Sequence, residues 1–113
     1  MENLYGNAFT NIPSTAGDYW PSDEIGGNVN AKGGILASAK LVLIKAVVVR
    51  VLNTGGTFTL EDHDGNVIAA FTPTQAGTIS FGKEGILIRS GWSINQDATT
   101  PGGALMVVWK RIL

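Results

Sequence analysis

From Gly33 onward the chain never sustains one apolar pattern long enough to build a helix. It is cut instead into short runs of β-favouring residues by turn-forming groups. Leu41–Leu52 is the longest run, rich in Val and Ile, with Val47, Val49 and Val51 alternating against Val48, Arg50 and Leu52. Apolarity this nearly continuous is expected of a strand covered on both faces, by the core and by a neighbour. Asn53-Thr54-Gly55-Gly56 is a turn signal. Residues 57–61 then alternate, which places Phe58 and Leu60 inward and Thr57, Thr59 and Glu61 outward. Asp64-Gly65 marks a hairpin, because glycine tolerates the positive φ of such turns, and residues 67–72 resume the strand pattern. After the connection at 73–77 come a run at 78–81, a turn at Gly82-Lys83-Glu84-Gly85, and a further run at Ile86–Arg89. A polar loop at 95–103 leads to the closing run at 104–111, and Gly33-Gly34 precedes a short run at Ile35-Leu36. About seven short strands joined by Gly-rich turns predict an all-β fold, a compact antiparallel β-sandwich or jelly-roll-like barrel over residues 33–113.

Length and composition permit such a fold and exclude several others. A chain of 113 residues, 44% of them hydrophobic, is one domain's worth. At this size a domain buries roughly 65% of the surface its unfolded form exposes, so a real core is possible. The apolar run at 41–51 is interrupted by Lys45 and Arg50 and falls short of the ~20 residues a membrane-spanning helix needs, so no membrane partner is expected. Met1-Glu2-Asn3-Leu4 has neither the basic start nor the apolar stretch of a signal peptide, so secretion by that route is not expected. With no cysteine and one histidine, disulfides, thiolate chemistry and an ordinary zinc site are not expected. The net charge is −1 and charged residues make up 15%. No basic stripe of the kind that binds nucleic acid is visible. So little charge protects poorly against self-association, which points to an outer surface meant to be covered.

Residues 1–32 read differently. Asn, Gly, Pro, Ser and Thr surround isolated large groups, among them Leu4, Tyr5, Phe9, Ile12, Tyr19, Trp20 and Ile25, and Pro13 and Pro21 interrupt any helix or central strand. Ordering thirty backbones costs on the order of 30–60 kcal/mol. Burying each large side chain returns only about 1.5–3 kcal/mol. The segment is therefore expected to be an extended N-terminal arm, ordered on a partner through those seven residues and dispensable for folding; the alternative is that it folds back as an edge strand on its own domain.

The succession Gly34-Ile35-Leu36, a Val-rich strand, Asn53-Thr54-Gly55-Gly56-Thr57-Phe58-Thr59-Leu60-Glu61-Asp62, Asp64-Gly65-Asn66, Gly77-Thr78-Ile79-Ser80-Phe81, Gly85-Ile86 and Ser90-Gly91, closing on an apolar β run, resembles the small β-sandwich virion proteins of tailed bacteriophages. The resemblance covers residues 33–110 and leaves the arm out. It rests on turn glycines and strand patterns, not on a catalytic fingerprint. It implies structural work on a phage particle, first as a capsid decoration or cement protein, otherwise as a fibre, baseplate or neck component. The implied partners are the major capsid protein or another virion protein and, as a homotrimer, the chain itself. The implied location is the capsid surface of a virion assembled in the host cytoplasm.

No residue set favours catalysis, and neither enzymatic activity nor a cofactor is expected. His63 sits between Asp62 and Asp64, but neighbours in a tight turn point in different directions, and no Ser or Cys stands beside them as nucleophile. Asp62-x-Asp64-x-Asn66 has the look of a calcium loop, yet Pro73 occupies the twelfth position where the EF-hand requires a bidentate glutamate. Gly26-Gly27, Gly33-Gly34 and Gly55-Gly56 lack the spacing of a phosphate loop. The acids, which mostly fall in turns or in the arm, give no sign of the carboxylate pair of a glycosidase. Trp92 and Trp109 are expected in the core or at strand ends; exposed, they would instead stack on sugars and make the chain a carbohydrate-binding module.

Overall fold

The computed structural model describes residues 7–19, 41–62, 65–89 and 91–112. Among these, nine strands form: β1 (Asn7–Ile12), β2 (Gly17–Tyr19), β3 (Leu41–Leu52), β4 (Phe58–Asp62), β5 (Val67–Phe71), β6 (Gly77–Ser80), β7 (Ile86–Arg89), β8 (Trp92–Gln96) and β9 (Gly103–Arg111). All pair antiparallel into two sheets that pack as a β-sandwich. The first sheet runs β1-β9-β3-β6, with β7 also on β3; the second runs β2-β8-β4-β5. The expected all-β sandwich is thus the fold, and the Val-rich run is its longest strand.

Strand β3 explains the asymmetry of the first sheet. Its register slips at Lys45 and again at Arg50. Below the first slip it pairs with β7, from Leu41↔Arg89 to Ile44↔Ile86; above it with β6, from Ala46↔Ser80 to Val49↔Gly77. β6 and β7 are thus one edge strand interrupted by the loop-out at 81–85, and the Phe81 N–H donates to the Lys45 carbonyl at 3.2 Å to hold the interruption opposite the bulge.

Inward side chains of both sheets form one core. The first sheet contributes Ile12, Val42, Ile44, Val47, Val49, Ile88, Leu105, Val107 and Trp109, the second Phe58, Leu60, Trp92 and Ile94. Trp92 and Trp109 meet edge to face at 6.1 Å, and Phe58 stacks on Phe71 at 5.0 Å. Such geometries bring the positive ring edge to a negative face, or offset two faces, and add to the area term.

Residues 7–19 correct the expectation of an arm over 1–32. β1 pairs with β9 along its whole length, from Asn7↔Lys110 to Ile12↔Leu105, and β2 pairs with β8 from Gly17↔Gln96 to Tyr19↔Ile94. These residues belong to the sandwich, as edge strands of their own domain. The physical reason is that the entropy estimate counted only large anchors and left the backbone ladder aside. Ala8, Thr10 and Ile12 alternate inward, and the polar Thr10 is tolerated because its Oγ1 accepts from Trp109 Nε1 at 2.9 Å. The rest of residues 1–32, and the run at Ile35-Leu36, lie outside the described residues.

One end of the sandwich is sealed by a polar seam. Gln96, 1% exposed, donates from Nε2 to the carbonyls of Gly103 (2.7 Å) and Pro13 (3.2 Å), while its Oε1 accepts from the Gly102 N–H at 2.8 Å. A single amide thus joins β8, the start of β9 and the link between β1 and β2. The backbones here approach so closely that a Cβ on Gly56 would lie 1.9 Å from the Pro101 carbonyl oxygen. Gly103, at φ +122°, would put one 2.1 Å from that of Val51. Only glycine fits either position.

Candidate interaction surface

The alternation that buries the core leaves a second set of side chains on the outside of the first sheet. Outward from Trp109 and Ile44 stand Lys110 and Leu43, in line with Leu87. The next row across the sheet is Phe9, Val108, Ala46 and Ser80, and the next Asn11, Met106, Val48 and Thr78; beyond the second bulge Val51 faces Ala104. Phe9 is 60% exposed, Leu87 58% and Val51 63%, while Leu43, Ala46, Val48, Met106 and Val108 between them are half-buried. Single exposed hydrophobes are ordinary on a protein surface, but a contiguous set running across four strands is not.

The size of this face bears on what it can do. Four strands about 4.8 Å apart and nine residues of β9 at about 3.4 Å each outline roughly 500 Å². A standard interface removes about 800 Å² from each partner. The face is therefore of the order needed for recognition, though on its own it is at the modest end.

Charge is unevenly divided between the sheets. Lys45, Arg50, Arg89, Lys110 and Arg111 lie on the first sheet and Lys83 in its 81–85 loop, whereas Asp18, Glu61 and Asp62 lie on the second and Asp97 directly follows β8. Glu84, beside Lys83, is the exception. Arg50, Arg89 and Lys110 project with the apolar rows, and among the described residues no carboxylate shares that face. Arg50 Nη1 donates to Asn11 Oδ1 at 3.1 Å, which fixes it beside Met106 and Val48.

The outside of the second sheet is more polar on β2, β4 and β8, although Val67 on its edge strand β5 is 60% exposed. Asn95 Nδ2 donates to Asp18 Oδ1 at 2.6 Å, and Thr59 Oγ1 to Glu61 Oε2 at 3.1 Å. Glu61 points outward, as its alternation requires, yet is buried, and its cross-strand neighbour Ser93 is fully buried with no hydrogen-bond partner for its Oγ.

The residues expected to act at an interface are divided by this geometry. Phe9 stands on the outer face of the first sheet. Ile12 is 2% exposed in the chain's own core, a correction: the strand alternation that turns Phe9 out turns Ile12 in. Tyr19 packs half-buried against the core, its hydroxyl 2.6 Å from Thr15 Oγ1 and donating to the Thr15 carbonyl at 3.0 Å, so it closes its own turn. Leu4, Tyr5, Trp20 and Ile25 lie outside the described residues, as do His63 and Asp64. Asp62 Oδ1 accepts the Asn66 backbone N–H at 2.8 Å and Oδ2 the Asn66 side-chain amide at 3.2 Å, which is turn chemistry. Among the described residues no three His, Asp or Glu side chains gather as metal ligands. Trp92 and Trp109 are 0% and 2% exposed, so neither ring is available to stack on a sugar, and that route to a carbohydrate-binding module is removed.

Leu43, Leu87, Met106 and Val108 were not singled out from the sequence. The available signal was the near-continuous apolarity of residues 41–52 and 104–109, which a strand with one solvated face does not need. A groove of about 300 Å³ over the β5–β6 connection is lined by residues 72–79, none of them titratable. No protein-family model and no curated protein matches the chain.

Proposed function

We propose that the protein is a non-enzymatic structural binding module that docks on another protein through the outer face of the first sheet. The observation that carries this reading is the set of Phe9, Leu87 and Val51, each more than half exposed, at two edges and one end of a field of half-buried Leu43, Val48, Met106 and Val108. The largest apolar patch of a monomer is often its functional one, even at a few hundred Å². Following the resemblance set out above, the setting is a tailed-phage virion, with decoration of the capsid as the first role and a fibre, baseplate or neck position as the alternative. Leu4, Tyr5, Trp20 and Ile25 are proposed as additional anchors. Self-assembly into trimers would multiply a modest face into high avidity on a symmetric shell.

Two measurements test this. Cryo-EM of virions carrying the protein is expected to place the first sheet against the shell; a chain missing from virions overturns the setting. Sedimentation of wild type and of Phe9→Ser/Leu87→Ser with purified shells tests the face itself. The double variant is expected to lose binding while keeping its fold, and undiminished binding would refute docking through this surface.

A further inference from the structure

We infer that the surface received by the first sheet is acidic: a protein patch with an apolar centre and carboxylates around it. The inference rests on the docking face proposed above and adds the chemistry of its occupant. Every charged residue that the described structure places on that face is a cation: Arg50 beside Met106 and Val48, Lys110 beside Leu43, and Arg89 next to Leu87 at the lower edge. Arg50 is held in place by Asn11 rather than by a carboxylate. Docking removes these side chains from water, and a buried charge left unpaired is costly. A complementary partner must therefore supply anions at the rim of the apolar rows, where they also steer encounter and select against wrong partners.

The same three cations decide against the simplest rival occupant. Two copies meeting face to face about a two-fold axis would bring the same patch against itself. Arg50, Arg89 and Lys110 would then face only their own kind, and like charges in apposition oppose association. A second copy could offer its other acids, but Asp18 is engaged by Asn95, Asp62 by Asn66 and Asp97 by Thr99 and Thr100. Glu61 is buried, and Glu84 stands beside Lys83, which would bring a further cation. The geometry consequently favours a different protein. An anionic membrane shares the charge preference but has no fixed array of carboxylates, so it serves as an outcome of the test.

The test uses the full chain, labelled with nitrogen-15, and a defined probe: an 18-residue helical peptide with one leucine stripe flanked by glutamates. Its twin carries lysines in place of the glutamates. The acidic peptide is expected to move the amide signals of β1, β3, β7 and β9, the lysine twin to bind at least tenfold more weakly, and added salt to erase the difference. An exposed ion pair contributes about 0.2–1 kcal/mol, or 1.4- to 5-fold in affinity, so three together give about 3- to 125-fold, and repulsion between the twin's lysines and the same three cations widens the gap beyond tenfold. Arg50→Glu/Arg89→Glu/Lys110→Glu should invert the preference between the twins. Phe9→Ser/Leu87→Ser should weaken both peptides equally. Equal binding of the twins, with loss in Phe9→Ser/Leu87→Ser, would sink the acidic partner while leaving the docking face intact. Indifference to both sets of substitutions would sink both. Binding of phosphatidylglycerol vesicles without response to the acidic peptide would reject a protein partner in favour of a membrane.

Discussion

Replacing Gln96 with leucine tests whether the polar seam, rather than the core alone, decides the sandwich's stability. The two side chains are close in volume, so the substitution removes hydrogen bonds without opening a large cavity. Three bonds disappear, to the carbonyls of Gly103 and Pro13 and from the Gly102 N–H. Gly102 and Gly103 are both buried, so water cannot replace the lost partner. Leaving a buried donor or acceptor unsatisfied costs about 1–3 kcal/mol each, which for two groups is roughly 2–6 kcal/mol. The added apolar surface of leucine offsets about 1–2 kcal/mol. A net loss of about 3 kcal/mol is expected, a large share of the 5–15 kcal/mol that holds a typical domain together. Urea unfolding followed by tryptophan fluorescence measures it, because Trp92 and Trp109 pass from full burial to water. With a slope of about 1.5 kcal/mol per molar, the midpoint should fall by about 2 M. A midpoint within about 0.5 M of wild type would show that the glycine backbone finds other partners, and the seam argument would fail.

Three further outcomes follow from the same structure. Deleting residues 1–19 removes β1, β2 and the buried Ile12, so circular dichroism and thermal melting should show loss of cooperative folding; a sandwich that melts normally without them would restore the reading of that whole segment as an arm. Gly103→Ala forces a Cβ to within 2.1 Å of the Val51 carbonyl oxygen at φ +122°, a strained position that costs about 1–3 kcal/mol before the clash is counted, so the melting temperature should fall by roughly 5–15 °C. Asp97 accepts from the Thr100 N–H, the Thr99 hydroxyl and the Thr99 N–H, in that order of influence, and these bonds hold its carboxyl below the ordinary carboxylate range. Its folded value lies below its unfolded one, so its stabilisation is present above the unfolded value and lost as pH falls through the folded one; Asp97→Asn should flatten that acid limb, and an unchanged pH profile of the melting temperature would refute the assignment.

Much of the sandwich was legible because its strands obey simple alternation. Phe58 and Leu60 turn inward on β4, β3 stands where its Val-rich run lies, and both core tryptophans follow from size and strand position. Beside the neglected backbone ladder of β1 and β2, two failures turn on a polar residue in an inward position. Thr10 breaks the apolar alternation of β1, and its acceptance depends on Trp109, 99 residues away. β8 as a whole is not legible in the sequence: Ser90-Gly91-Trp92 reads as the end of the preceding strand and Asn95-Gln96 as the start of a polar loop, although the Gln96 amide is satisfied by Gly102, Gly103 and Pro13. Partners so distant in sequence leave no local signature. Ile12 has a separate cause: without the β1 register nothing in the sequence tells it from the outward Phe9.

The two outer faces provide an internal control for the docking argument. Both belong to one chain and one sandwich, so the need to remain dissolved acts on both alike. The second sheet carries Asp18, Asn95 and Thr59 in outward positions of its inner strands and β2, with Glu61 and Ser93 outward but buried and an exposed Val67 on its edge strand. The first sheet places Leu43, Ala46, Val48, Met106 and Val108 in the equivalent positions of β3 and β9. Strand propensity does not account for the difference, because threonine favours strands as well as valine does and the second sheet uses it. Nor does core packing, because these side chains point away from Trp109, Val107 and Val47. What distinguishes the sheets is where their outward apolar side chains stand. The first runs them across its two central strands and both edges, with Arg50, Arg89 and Lys110 at the margin to choose which cover fits, whereas on the second they are confined to the edge strand β5.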